Sequence, residues 1–245
     1  MARSKGRDSA ARQKGSKRSR KNLPRQVHIF TEGEVTEVQY IDLIIGRGMW
    51  ADPDRRVQHR FENATAESKY RKPLRMVQEA VPVLRRAERV AREAGLEEKD
   101  WNWPQVWVLF DRDEHPGIPE ARSLAEQAGV KIAYSHPCFE LWRLLHYQNY
   151  TSTFGGVCGG ANSKLRQQPG FAQTYGKNVK NVSKDQSKHV KPDQILGAEG
   201  NNRYSAAKNH AKKINNGHGG ANPNAWDPYT DVWCFVEKGL LLSGY

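Results

Sequence analysis

Apolar residues fall into a few short runs along this chain, and their spacing predicts its elements. Gln105-Val-Trp-Val-Leu-Phe-Asp111 has apolar residues at successive positions, the pattern of a strand buried on both faces. Such strands belong to parallel sheets, whose ligands lie beyond the carboxyl ends of the strands. Arg25–Thr31 predicts an earlier strand and Val130–Tyr134 a later one. Between them the period becomes helical. Val38, Ile41, Leu43, Ile44 and Ile45 mark one helix, which follows a tight turn at Gly33. Leu74, Val77, Val81, Leu84 and Ala91 mark a longer helix that starts at Pro73 and stops at Gly95. Pro82 falls inside it and is expected to kink or break it. A short helix is expected over Pro119–Ala128, and another carrying Phe139, Leu141, Trp142 and Leu145 inward. Asn201–Ile214 predicts a basic helix, and Tyr229–Leu242 a closing amphipathic one. Residues 46–63 read as irregular, with Trp50 and Phe61 as anchors. Residues 150–200 read as a polar insertion, either functional or mobile. Strands alternating with helices make this an α/β protein, with an open, mainly parallel sheet flanked by helices.

Charge changes this picture at one end. Residues 1–22 hold nine Lys/Arg against one Asp, so +8 of the net +12 sits there and the other 223 residues carry +4. That stretch has too few apolar residues to fold alone. We therefore divide the chain into a disordered basic tail over residues 1–24 and a single α/β domain over 25–245. The tail is either a nucleic-acid arm, with Lys14, Lys17, Arg18, Arg20 and Lys21 as candidate contacts, or a solubilising extension. A basic balance favours nucleic acid over an anionic membrane as partner. No apolar run approaches the roughly 18 residues of a spanning helix, and the start lacks a signal-peptide centre. A cytoplasmic location is expected. Cys138, Cys158 and Cys234 are widely separated, with no Cys-x-x-Cys pair, which predicts reduced thiols and gives no zinc spacing.

Each strand end delivers an acid. Glu32 follows the first strand, with Glu34 and Glu37 in the turn and first helical turn beyond it. Asp111 and Asp113 follow the second strand. Glu140 opens the helix after the third, shortly behind Ser135. Helix-dipole placement accounts for Glu37 and Glu140 without any ligand, and N-capping for Ser135. Neither accounts for Glu32 at a strand tip. Asp111 and Asp113 are two apart on one side of the chain and repel each other, unless a hard cation such as Mg²⁺ lies between them. The plainer alternative is a solvated acidic turn.

Three stretches carry a resemblance: Phe30-Thr-Glu-Gly-Glu-Val-Thr-Glu-Val-Gln-Tyr40, Phe110-Asp-Arg-Asp113 and Ser135-His-Pro-Cys-Phe-Glu-Leu-Trp-Arg-Leu-Leu-His146. Together they resemble the RloB-like family, which is similar to the TOPRIM-type nucleases of the OLD class. Tyr175-Gly-Lys177 and Asn222-Pro-Asn-Ala225 agree more weakly, the latter lacking the Ser/Thr usual after that proline. The resemblance implies a TOPRIM-like sheet and Mg²⁺ or Mn²⁺ held by Glu32, Glu37, Asp111 and Asp113. It also implies Glu140 and Ser135 as a polar pair after the third strand, and Lys177 as a catalytic lysine. The activity implied is a metal-dependent nuclease of a bacterial anti-phage or abortive-infection system, with DNA ahead of RNA as the expected substrate. An ATPase is the implied partner; this chain has no P-loop of its own. Two other readings stand beside it. A phosphatase-like enzyme would use Asp111 as nucleophile and Asp113 as acid, though it has no need of Glu-Gly-Glu-Val-Thr-Glu. A non-catalytic nucleic-acid-binding or regulatory subunit would keep the acid pocket without turnover.

Overall fold

The computed structural model describes residues 23–112, 115–197, 203–219 and 225–245. Residues 1–22 of the basic tail, Asp113, and Asn222-Pro-Asn224 lie outside the described residues. The strands are β1 (Arg25–Thr31), β2 (Met49–Trp50), β3 (Val57–Phe61), β4 (Gln105–Asp111), β5 (Lys131–His136), β6 (Tyr229–Thr230) and β7 (Leu242–Gly244). The principal helices are α1 (Thr36–Arg47), α2 (Pro73–Glu93), α3 (Ile118–Ala128), α4 (Phe139–Leu145), α5 (Cys158–Arg166) and α6 (Arg203–Asn216). The main sheet runs in the order β3-β1-β4-β5-β6, parallel except for β6. β2 and β7 form a separate antiparallel pair.

Both faces of the sheet are covered, which explains the unbroken apolar runs. Val27, Ile29, Trp107, Leu109 and Ala133 point to one core, closed by α1, α4 and α6 through Tyr40, Ile41, Ile44, Trp142, Tyr204 and Ala207. Phe30, Val106, Val108, Phe110 and Tyr134 point to the other, closed by α2 and α3 through Met76, Val77, Leu84, Ala121 and Ala125. Helices on both faces leave the strands' carboxyl ends open, and there Glu32, Asp111 and Glu140 emerge. Among the described residues no helix is long and apolar enough to cross a membrane.

Several expectations need correction. Helix α2 runs through Pro82 unbroken. Pro82 and Gln78 are both exposed, so the Gln78 carbonyl that loses its helical partner sits on the solvent face of the helix. The helix stops as expected at Gly95, whose φ of 83° lets the Leu96 N–H reach the Ala91 carbonyl at 2.9 Å. Residues 46–63 contain an edge strand, β3, whose short Val57/His59/Phe61 alternation is mostly polar. The 150–200 stretch contains α5 and single helical turns at Lys184–Ser187 and Pro192–Ile195, packed around a small core of Leu165, Phe171, Ala172 and Val182. The closing segment is not one helix. Tyr229 and Thr230 pair with His136 and Ser135, and Asp231 accepts the Tyr134 N–H at 2.7 Å, fixing the chain to the sheet edge. A π-helical turn over Phe235–Gly239 follows, and Leu241 at φ 57° turns the chain into β7. The cysteines are not all reduced. Cys138 and Cys158 form a disulfide with Cα atoms 5.4 Å apart, because α4 packs on α5; Cys234 is free.

Candidate metal centre

The parallel register sets the site. β1 pairs with β4 so that Thr31 lies beside Leu109, and one residue later the Glu32 N–H donates to the Leu109 carbonyl at 3.0 Å. The Asp111 N–H in turn donates to Glu32 Oε2 at 3.1 Å. His115, just after the acidic turn, contacts Glu32 Oε1 through Nε2. Glu37 comes back from the first turn of α1, and its Oε1 accepts the Gly33 N–H at 3.1 Å. The Asp111 carboxylate accepts the N–H of Phe139, the first residue of α4, which brings Glu140 alongside. Glu32, Glu37, Asp111 and Glu140 thus line one open cavity of about 470 Å³.

The electrostatics follow from this crowding. Burial, then the charges of Glu37, Glu32 and Glu140, push the Asp111 carboxyl well above the usual carboxylate range. Asp111 is half-buried, its open side facing the cavity. Burial first, with Glu140 and Glu32 adding to it, raises Glu37 to about 7. Glu37 and Asp111 are held where their charges are unfavourable, which favours a positive charge placed among them. A pH dependence follows. Folding raises the Glu37 pKa from 4.5 to about 7, so between those values the folded state holds more protons than the unfolded one. Metal-free stability should therefore fall as pH rises through that window, by up to about 3 kcal/mol. Urea midpoints in chelator at pH 5 and pH 8 test this, with Glu37→Gln flattening the difference. An equal drop in the variant would assign the slope to other groups.

Two residues that the sequence reading did not single out fix the strand tip. Asn63 brackets Thr31, accepting its N–H at 3.1 Å and donating to its carbonyl at 2.8 Å. Arg71 is buried and spans five carbonyls: Thr31 and Asn63 at 2.9 and 2.7 Å, Ala66, Ala64 and Gly33 at 3.1 to 3.4 Å. It also meets Glu34 at 3.5 Å. A lone Arg before a helix carries no signal of this in sequence. Gly33 has no positive φ. It is required for close approach, since any Cβ there would collide with the Glu37 carboxylate. Gly33→Ala should displace Glu37 and weaken divalent-cation binding roughly tenfold or more while the sheet stays folded. Calorimetric titration with Mn²⁺ measures it, and wild-type affinity would show that Glu37 is not a ligand.

The other candidates are distributed differently. Ser135 is buried in β5 and shares a 3.0 Å hydrogen bond with Thr230, away from the cavity lining and not capping α4. Lys177 is exposed beyond the Ala172–Tyr175 turn and does not line the cavity. The lysines that do are Lys72 and Lys188, together with Arg71. Lys188 is positioned by its backbone, whose carbonyl accepts the Thr36 hydroxyl at 3.0 Å. Its presence could be found only by knowing how the 184–195 segment folds back, which Arg143 enforces by donating to the Ser187 carbonyl and to Gln194 Oε1. Asp113 lies outside the described residues.

No curated protein and no solved structure matches the chain. One family model, described as RloB-like protein, matches residues 27–238. That span starts in β1, ends in the turn before β7, and contains every described acid of the cavity. The chain belongs to the RloB-like family.

Proposed function

We propose that this chain is a divalent-cation-dependent phosphodiesterase acting on nucleic acid. Glu32, Glu37 and Asp111 would hold the cation, with Glu140 and Asp113 supporting it. The observation that carries this is the convergence of four carboxylates from three separate segments at the open end of a parallel sheet. Their all-oxygen donor set suits Mg²⁺ or Mn²⁺. When bound, such a cation supplies Lewis-acid polarisation of a phosphoryl oxygen.

The chain's own residues would do the rest. Lys72, Lys188 and Arg71 put positive charge on the cavity wall, where a phosphate backbone is drawn in and transition-state charge is offset. This is the part that the resemblance assigns to Lys177. Glu32 and Glu37 each accept a backbone N–H, from Asp111 and Gly33, so the acids are oriented before any ligand arrives. The likeness to TOPRIM-type nucleases supports DNA ahead of RNA, an ATPase partner, and a role in bacterial anti-phage or abortive-infection defence. The phosphatase-like alternative is less favoured. It asks Asp111 to approach a phosphate as a bare nucleophile, while three further acids surround it.

The test is cleavage of plasmid DNA and of RNA with Mg²⁺, Mn²⁺ or chelator, with and without the ATPase partner, beside an aryl phosphomonoester. Cation-dependent cutting lost in Glu32→Gln is the expected result. Turnover of the monoester alone would favour the phosphatase. No turnover together with no cation binding would remove the proposal.

A further inference from the structure

Glu140 has a second set of neighbours that the acid cavity does not use. Cys138 immediately precedes α4, Glu140 is in its first turn, and Cys158 opens α5. Cys158 Sγ lies 3.5 Å from Glu140 Oε2. The two bonded sulfurs and a Glu140 oxygen all lie within 4.8 Å of one another, so two soft donors and a carboxylate share one small space. Cys138 is buried, while Cys158 and Glu140 are half-buried and within reach of solvent. Cys158 follows an exposed segment in which Gly155 and Gly156 both take left-handed φ.

We propose that Cys138, Cys158 and Glu140 form a redox-gated site for a thiophilic divalent cation of the zinc class. In the disulfide form the sulfurs are bonded to each other and the site is closed. A small dithiol reductant opens it. Two electrons pass to the Cys138–Cys158 bond, the dithiol becomes its own disulfide, and the two protein sulfurs take up its two protons. Binding of the cation then releases those two protons to solvent, leaving two thiolates and one carboxylate oxygen as ligands and a fourth position for water. Tetrahedral bonds of about 2.3 Å place two thiolates roughly 3.8 Å apart, a separation that rotation of the cysteine side chains supplies. This donor set differs in kind from the hard, all-oxygen cluster of Glu32, Glu37 and Asp111, and shares only Glu140 with the acid cavity. A thiophilic cation there draws Glu140 away from the acids it crowds. That consequence for activity rests on the cation reading above; the site itself does not.

Cobalt(II) tests the site without any cleavage assay, because thiolate ligation gives a sulfur-to-cobalt charge-transfer band that carboxylates do not give. The full chain, oxidised, should show no such band. After reduction and removal of the reductant it should show one, saturating at one equivalent and erased by zinc. Cys138→Ser and Cys158→Ser should each lose it. Glu140→Gln should keep the band but bind cobalt roughly tenfold or more weakly. A reduced wild-type protein without the band overturns the proposal, and this comparison needs no variant to fold. A band that survives in the Cys138→Ser/Cys158→Ser double variant places it at Cys234 and also overturns it. Three free thiols in the denatured, unreduced chain would remove the gate. If the acid cluster does not support cleavage, cutting fails while the cobalt band is unaffected, so the two failures are separable.

Discussion

Asp111→Asn is expected to abolish cation-dependent cleavage, by roughly a hundredfold or more, while leaving the fold intact. The substitution keeps the side chain's shape and an oxygen able to accept the Phe139 N–H. What it removes is one acid of a cavity in which neighbouring carboxylates raise the proton affinity of Asp111 and Glu37. Metal-free protein should therefore melt at the same temperature or slightly higher. The gain from added Mn²⁺ should shrink, because that gain measures binding to the folded state alone. At a hundred times its dissociation constant a ligand contributes about 2.7 kcal/mol, and we expect well under half of that in the variant. Melting curves with and without Mn²⁺ decide it beside the cleavage assay. A variant that cuts at the wild-type rate disproves the site. One that melts far lower without metal marks Asp111 as structural.

The largest effect on stability is expected at Arg71. Its guanidinium has almost no exposed surface and donates to five backbone carbonyls from residues 31 to 66. Arg71→Met fills similar volume but removes five hydrogen bonds at once, leaving the Thr31, Gly33 and Asn63 carbonyls with one remaining donor each, a loss of about 3–5 kcal/mol. For a domain of this size that is a fall in Tm of roughly 6–20 °C. Arg71→Lys should recover little, since a single ammonium cannot span the fork. Because Thr31 and Gly33 flank Glu32, cation affinity should fall along with stability. A Tm within 2 °C of wild type would mean that water replaces the guanidinium.

Much of this was legible in the chain, for identifiable reasons. Runs such as Val106–Phe110 are buried on both faces, and a doubly buried strand has few other sequence patterns. An acid straight after such a run has to emerge at the sheet's open end, which is why Glu32 and Asp111 could be put at one place. What could not be read depends on chain segments meeting across long intervals. Cys138 and Cys158 look unrelated until α4 packs on α5. Lys188 reaches the cavity only through a fold-back held by Arg143, whereas Lys177, attached to a sharper local motif, does not line it. Ser135 reads as a cap because hydroxyls so often cap helices; in the structure its partner is Thr230, from a segment that reads as helix. That segment's apolar spacing is compatible with a helix, but Asp231 bonding to the Tyr134 backbone overrides the periodicity.

The adjacency of β1 and β4 has a further consequence, for how the protein comes to fold. Glu32 and Asp111 are 79 residues apart in the chain, and every backbone bond between their strands closes a loop of about that length. Little local structure rewards that closure in advance, since α2, 21 residues within the interval, can form without it. Parallel pairings of such separation are formed late and slowly. The cavity therefore has no partial form. A nascent chain that has not yet delivered β4 has only Glu32 and Glu37, and the proposed cation site is assembled once β4 and the start of α4 have joined them.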